Sequence, residues 1–290
     1  MGATGRADAP RSDGPVGFFD SGLGGLCILD AFVALCPNES TVYIADSVNC
    51  PYGNRPADEI VRLSRANTEA LLARGCKMVV VACNTATAAA IDTLRAEWPD
   101  VPFIGIEPAL KPAALESKTG IVGVLATAGT FGGRLYRETK AKFAKDVTVI
   151  ATVADEFVEL VESFGVGIES NNVGIGATSN RPYMTLNDAK VISTVRSKIE
   201  PLLNAGCDRI VLGCTHFPHL KPVIEKVCAG RAEVIDPSDA VARQARRVLA
   251  RLGLLRGESA AEPSHVFISS KPHDPQRGYG ARTADMLQFP

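Results

Sequence analysis

Net charge is almost missing from this chain of 290 residues, in which 31 Lys and Arg stand against 32 Asp and Glu for a formal charge of −1. A nucleic-acid footprint needs clustered positive charge, and no long Lys/Arg run supplies it. An uninterrupted apolar stretch near the roughly 20 residues that cross a bilayer is also lacking. The first fourteen residues, MGATGRADAPRSDG, hold no apolar run of the kind a secretion signal needs. Arg6 stands where N-myristoylation would require Ser or Thr. None of the eight cysteines lies in a Cys-x-x-Cys pair. In a reducing cytosol such thiols are expected free, as small buried hydrophobes or as catalysts. The expectation is a cytoplasmic protein with neither a nucleic-acid nor a membrane partner.

What is present is an apolar fraction of 46%, enough for a real core in one large domain or two small ones. After a polar lead-in over residues 1–14, expected to be disordered, short apolar runs alternate with longer amphipathic ones. Val16–Asp20, Thr41–Ala45, Met78–Ala82, Phe103–Ile106, Ile121–Ala126, Val147–Thr152 and Arg209–Gly213 read as strands. Leu26–Leu35, Ala57–Arg74, Thr85–Ala96, Gly133–Ala144, Asp155–Ser163 and Asn187–Ala205 read as helices. Such alternation predicts an α/β fold with parallel sheets covered by helices. The segment Gly165–Tyr183, rich in Gly, Asn and Ser, reads as a loop, either a lid or an insertion.

The chain also repeats itself. GCKMVVVACNT (75–85) and GCDRIVLGCTH (206–216) share Gly-Cys, an apolar run and a terminal Cys at equal spacing. VGFFDSG (16–22) and VGVLATA (122–128) match more weakly, in the same order. Two related α/β units follow from this.

Ligands of open parallel sheets bind beyond the carboxyl ends of the strands, where Cys83 and Cys214 both fall. Each precedes a helix start, a setting that favours a reactive thiolate. The alternative is a pair of inert core cysteines. Cys76 and Cys207 match each other too, but at the opposite edge, and read as structural. Asp20 ends the first strand and is suited either to taking a proton from a thiol or to capping the next helix. GLGGLC is no dinucleotide fingerprint, because Cys27 stands at the third glycine position. CTHFPH (214–219) does not have a standard zinc spacing and no second cluster accompanies it, so no metal is expected. His216 reads as a proton partner for Cys214, and His219 as a surface or helix-start residue. Tyr52 and Gly53 sit in a turn-rich loop, where Tyr52 either packs or binds. Glu159 and Glu162 share a helix face and read either as a solvated pair or as a Glu beside a catalytic His, and the pattern does not choose.

Taken in order, FDSGLGGL, DSVNCPYGNR, VVACNTAT, GVLAT, VLGCTHFP and IDPSDAVAR make the chain similar to the aspartate/glutamate racemase family, from about Val16 to about Leu255. The resemblance is to the branch that interconverts L- and D-glutamate and supplies peptidoglycan synthesis. It implies no cofactor and two cysteine bases, Cys83 and Cys214. It assigns Asp20 as helper of Cys83, His216 as helper of Cys214, and Glu162 as the carboxylate that orients His216. Substrate contacts carry over to Asp20, Ser21, Tyr52, Gly53, Asn84, Thr85, Thr215 and His216. The implied fold is two related α/β lobes with mostly parallel sheets and the active site in the cleft between them. Lobe boundaries are expected at 15–108 plus 219–257 for the first and 109–218 for the second, with crossings near Pro108 and Pro218. Residues 258–290 are expected to pack on the first lobe. Glutamate is the expected small-molecule partner. A homodimer and activation by a peptidoglycan precursor are further implications. Restraint of DNA gyrase, reported for some members, is expected to be absent or secondary, because the lead-in is short and nearly neutral. Glu107 and His219 depart from the aliphatic residues expected of the family.

Overall fold

A computed structural model describes residues 12–164, 188–257 and 261–271. Most of the 1–14 lead-in, the 165–183 loop and the greater part of the 258–290 tail, His273 included, lie outside the described residues.

The first unit runs β1 (Val16–Asp20), α1 (Leu26–Leu35), β2 (Thr41–Ala45), α2 (Ala57–Leu72), β3 (Met78–Val81), α3 (Asn84–Glu97) and β4 (Phe103–Gly105). The second runs α4 (Leu110–Glu116), β5 (Ile121–Ala126), α5 (Ala128–Gly132), α6 (Arg134–Phe143), β6 (Thr148–Val153), α7 (Asp155–Phe164), α8 (Ala189–Asn204) and β7 (Arg209–Gly213). It continues through a short 3-10 helix at Phe217–Leu220, α9 (Lys221–Cys228) and β8 (Glu233–Ile235). The chain then returns through α10 (Ser238–Arg251) and β9 (His265–Ser269). Among the described residues no helix is long and apolar enough to cross a membrane.

Every strand pair is parallel, in two sheets ordered β4-β3-β1-β2-β9 and β6-β5-β7-β8. The fully buried run Val16–Asp20 is what a strand covered on both faces requires. Its alternation sends Phe18, with Tyr43 and Val80, toward α1 and α10. Phe19, with Ile44, Val79 and Val81, faces α2 and α3. In the second sheet Leu125, Ile210 and Leu212 pack under α7, α8 and α9, while Val122, Val124 and Val211 pack under α4 and α6. Burying one such side chain stabilises the fold by about 1.5–3 kcal/mol.

The repeat in the sequence is a repeat of topology. Reading β1 as β5, β2 as β6, β3 as β7 and β4 as β8 turns the order β4-β3-β1-β2 into β8-β7-β5-β6. Gly75 and Gly206, the matched glycines before Cys76 and Cys207, both adopt positive φ, 72° and 87°. They end α2 and α8, where an L-residue would be strained, and turn the chain into β3 and β7.

One boundary differs from expectation. The return crossing expected near Pro218 falls instead near Pro237. β8 pairs with β7, Arg209 opposite Glu233, and so belongs to the second sheet, as does α9, whose Val223, Ile224 and Val227 join the core of α7 and α8. α10 then joins the first unit against α1. The chain leaves each unit after its fourth strand, through Ile106-Glu107-Pro108 and Ile235-Asp236-Pro237. Pro218 breaks nothing, because it lies in the first turn of a short helix, where its missing N–H costs nothing.

Candidate active site

Parallel register brings the two repeats to the same edge. Phe19 lies opposite Val81, and Ala126 opposite Gly213. Asp20 and Cys83 therefore emerge together from the first sheet, and Thr127 and Cys214 from the second. Asp20 is fully buried. Its Oδ2 accepts the Gly25 amide at 2.9 Å, and the hydroxyls of Ser21 and Thr215 each lie 3.5 Å from Oδ1. Cys83 caps α3, its sulfur accepting the Ala86 amide at 3.5 Å. The same sulfur sits 3.9 Å from Ser21 Oγ.

The helix start was expected to depress the Cys83 thiol, and here the structure disagrees. Burial, and then the charges of Asp20 and Cys214, hold the thiol well above its ordinary value, and the Ala86 amide offsets only part of this. Asp20 is itself pushed up by burial, against the pull of His216 and the Gly25 amide. Both groups are biased toward holding a proton.

On the facing side, Cys214 Sγ lies 3.8 Å from His216 Nδ1. His216 Nε2 lies 2.8 Å from Glu162 Oε1, and that oxygen also accepts the Leu23 amide, from the other unit, at 2.7 Å. Glu159 is exposed, which leaves Glu162 as the partner of the histidine. Burial alone would lower His216, but hydrogen bonds with Cys214, Cys50 and Glu162 outweigh it and raise the imidazole well above its usual range. Burial opposes ionisation of Glu162 too, and His216 with the Leu23 amide overcomes it, so this carboxylate sits below its usual range. Bare backbone makes the close approach feasible. A Cβ on Gly24 would stand 2.5 Å from His216 Nδ1, and one on Gly22 2.0 Å from Glu162 Oε1.

The polar groups expected to bind substrate gather around these two sulfurs. Asn84 is buried, and its side-chain N and O have no hydrogen-bond partner among the described residues. Thr85 and Thr127 meet across the two units, Oγ1 to Oγ1 at 2.9 Å, and Thr127 reaches Thr130 at 3.0 Å. Tyr52 does more than pack. Its hydroxyl donates to Asp46 Oδ2 at 2.6 Å and accepts from Asn67 at 3.2 Å. Gly53 backs onto Thr127, where a Cβ would come within 3.1 Å of the threonine Cβ. His219, expected at the surface or at a helix start, lies half-buried in the short helix Phe217–Leu220, and burial followed by the His216 charge pushes it down to about 4. Neutral at pH 7, it donates Nε2–H to the Gly24 carbonyl at 3.1 Å and ties the two units together.

Two groups at the site escaped the sequence reading. Thr127 holds the place in VGVLATA that Ser21 holds in VGFFDSG, a signal available in the repeat. Cys50 was one of eight cysteines with no matched partner, and only the fold brings it to His216 and Glu162.

The model of the Asp/Glu/hydantoin racemase family matches residues 27–245. A glutamate racemase from Herpetosiphon aurantiacus is 43% identical over 260 residues, spanning 90% of this chain and 94% of its own. The crystal structure of a glutamate racemase isoform from Bacillus anthracis superposes with a TM-score of 0.77 at 26% identity, covering 96% of this chain and 98% of its own. That of the Escherichia coli glutamate racemase, in complex with L-glutamate and the activator UDP-MurNAc-Ala, gives a TM-score of 0.73 at 27% identity over 92% and 96% of the two chains. With its paired sheets, its matched cysteines and these relatives, the chain belongs to the Asp/Glu/hydantoin racemase family of isomerases.

Proposed function

We propose that this isomerase interconverts L- and D-glutamate by moving a proton between two cysteines on opposite faces of the α-carbon, without a cofactor, and so supplies D-glutamate for peptidoglycan. The observation that carries the reading is the matched placement of Cys83 and Cys214 at facing sheet edges, each with its own proton partner. Racemisation needs an acid and a base on either side of one carbon, and two similar groups let it run both ways. From L-glutamate, Cys214 as thiolate takes the α-proton while the Cys83 thiol returns one to the other face. His216, protonated and held by Glu162, donates to the Cys214 sulfur. Asp20 accepts the proton of Cys83 when the reaction reverses. The unpartnered Asn84 amide and the hydroxyls of Ser21, Thr85 and Thr215 suit a zwitterion with a second carboxylate. The glutamate racemase relatives, one of them crystallised with L-glutamate, support that substrate.

The direct test follows the ellipticity of L-glutamate and of L-aspartate solutions with the purified chain. The glutamate signal is expected to decay to zero and the aspartate signal to persist. A preference for aspartate would overturn the substrate and leave the two-base mechanism standing. Activation by UDP-MurNAc-Ala, the activator bound in the Escherichia coli relative, and a homodimer belong to the same reading. Rate with and without the nucleotide, and sedimentation, check them.

The Glu162–His216 pair carries a pH signature. Removing the carboxylate with Glu162→Gln takes away one of the bonds that raise His216, so the alkaline limb of the pH–kcat profile due to His216 is expected to move to lower pH. Stability should follow. The raised His216 contributes stability that is complete below its unfolded value near 6.5 and fades as pH rises through the raised folded value. The lowered Glu162 contributes stability present above its ordinary 4.5 and lost as pH falls through the lowered one. The Tm difference between wild type and Glu162→Gln is thus largest between these two limits. A difference independent of pH would contradict the pair.

A further inference from the structure

Cys50 moves no proton in the reaction proposed above, although its bond to His216 helps to raise that imidazole. It sits in the turn after β2, half-buried, with its sulfur, a ring nitrogen of His216 and a carboxylate oxygen of Glu162 all within 4.8 Å of one another. Glu162 Oε2 is buried and has no hydrogen-bond partner among the described residues. The missing side chain at Gly22 lets the sulfur and the carboxylate converge, since a Cβ there would meet Cys50 Sγ at 3.1 Å and Glu162 Oε1 at 2.0 Å. The set that the sequence offered for a metal, Cys214-Thr-His216-Phe-Pro-His219, does not assemble, because His219 turns to the Gly24 carbonyl.

Thiolate, imidazole and carboxylate are the donors of a borderline-soft divalent ion. Zinc bonds of 2.0–2.3 Å place tetrahedral ligand atoms about 3.5 Å apart. Small side-chain rotations would close the observed cluster around an ion, with a fourth position open. We propose that Cys50, Glu162 and His216 bind a thiophilic divalent cation, zinc in particular, and that its occupancy stops the reaction. An ion on His216 Nε2 replaces the proton shared with Glu162, and the ring, left with Nδ1–H alone toward Cys214, can no longer serve that sulfur as an imidazolium. Because Cys50 follows β2 while Glu162 and His216 come from the second unit, the ion also links the two halves of the enzyme. The binding half of the proposal stands on geometry; the inhibitory half rests on the racemase reading.

The full chain is titrated with Zn²⁺, and separately with Co²⁺, whose thiolate charge-transfer absorption reports sulfur ligation whether or not the enzyme is active. The expected result is one equivalent per chain with that absorption, loss of racemisation in step with occupancy, and recovery on adding EDTA. In Cys50→Ala the absorption should disappear. The zinc concentration for half-inhibition, referred to that variant's own metal-free rate, should rise at least about tenfold, the order seen when even an outer partner of a metal ligand is removed. Cys50→Ser, with far-ultraviolet circular dichroism on each variant, separates loss of a ligand from loss of the fold. Unchanged absorption and unchanged inhibition in both variants would place the ion on another of the free cysteines and overturn the site. Binding that depends on Cys50 but leaves the rate untouched would overturn the inhibition alone. A chain that binds cobalt through Cys50 yet never racemises glutamate would count against the function, not the site.

Discussion

Cys83→Ser and Cys214→Ser should each lower kcat for glutamate racemisation by about 10²–10⁴-fold, the range a positioned acid or base contributes. Serine preserves the length of the side chain but is a far weaker acid than cysteine, so the altered face can neither take nor return the α-proton at neutral pH. The opposite face keeps its thiol and its partner. Each variant should therefore retain half of the chemistry. With a glutamate analogue carrying a leaving group at the β-carbon, Cys83→Ser should still eliminate from the L form and Cys214→Ser from the D form. Solvent deuterium should enter the product of the wild type in both directions. If either single variant racemises at close to the wild-type rate, the two-base mechanism fails, whatever the substrate.

Lys77→Met should destabilise the fold by about 3–5 kcal/mol, the cost of stranding one member of a buried ion pair. Lys77 Nζ lies 2.6 Å from Glu39 Oε2, with side-chain exposures of 0% and 2%. The ammonium also donates to the Ser12 carbonyl at 2.7 Å, and Glu39 Oε1 accepts the Arg256 amide at 2.9 Å. Four distant stretches of chain meet there, at the edge of the first sheet opposite the cysteines. Adding Glu39→Leu to Lys77→Met should recover much of the loss, because an apolar pair leaves no charge unpaired. Urea midpoints of the two variants decide the matter. A single variant as stable as wild type would mean that water reaches the pair.

Long apolar runs were the legible part of the fold. Val16–Asp20, Thr41–Ala45, Ile121–Ala126 and Arg209–Gly213 are strands with the bounds their composition predicts, because a strand buried on both faces is apolar along its middle and takes polar residues only at its ends. β8, three residues long, could not be read this way, since it exists through its pairing with β7 rather than through any preference of Glu233–Ile235. The misplaced crossing followed from that, although the doubled Ile-acid-Pro signature would have corrected it. At the site, Cys83, Cys214 and Asp20 were visible because strand ends are where such residues can meet a ligand. The raised thiol of Cys83 was not, because it depends on burial and on Asp20, whose nearness only the tertiary fold creates. Cys50 was invisible for the same reason.

The two halves are related by a rotation, whereas the two enantiomers of an amino acid are related by reflection. The halves consequently cannot treat them alike, and Asp20 opposite Ala126, like Thr85 opposite His216, marks where they differ. In water the enantiomers have equal free energy, so for a racemase kcat/KM must be the same in both directions. The inequality of the helpers can then appear only as a trade between turnover and saturation: whichever enantiomer is held more loosely must be converted proportionately faster.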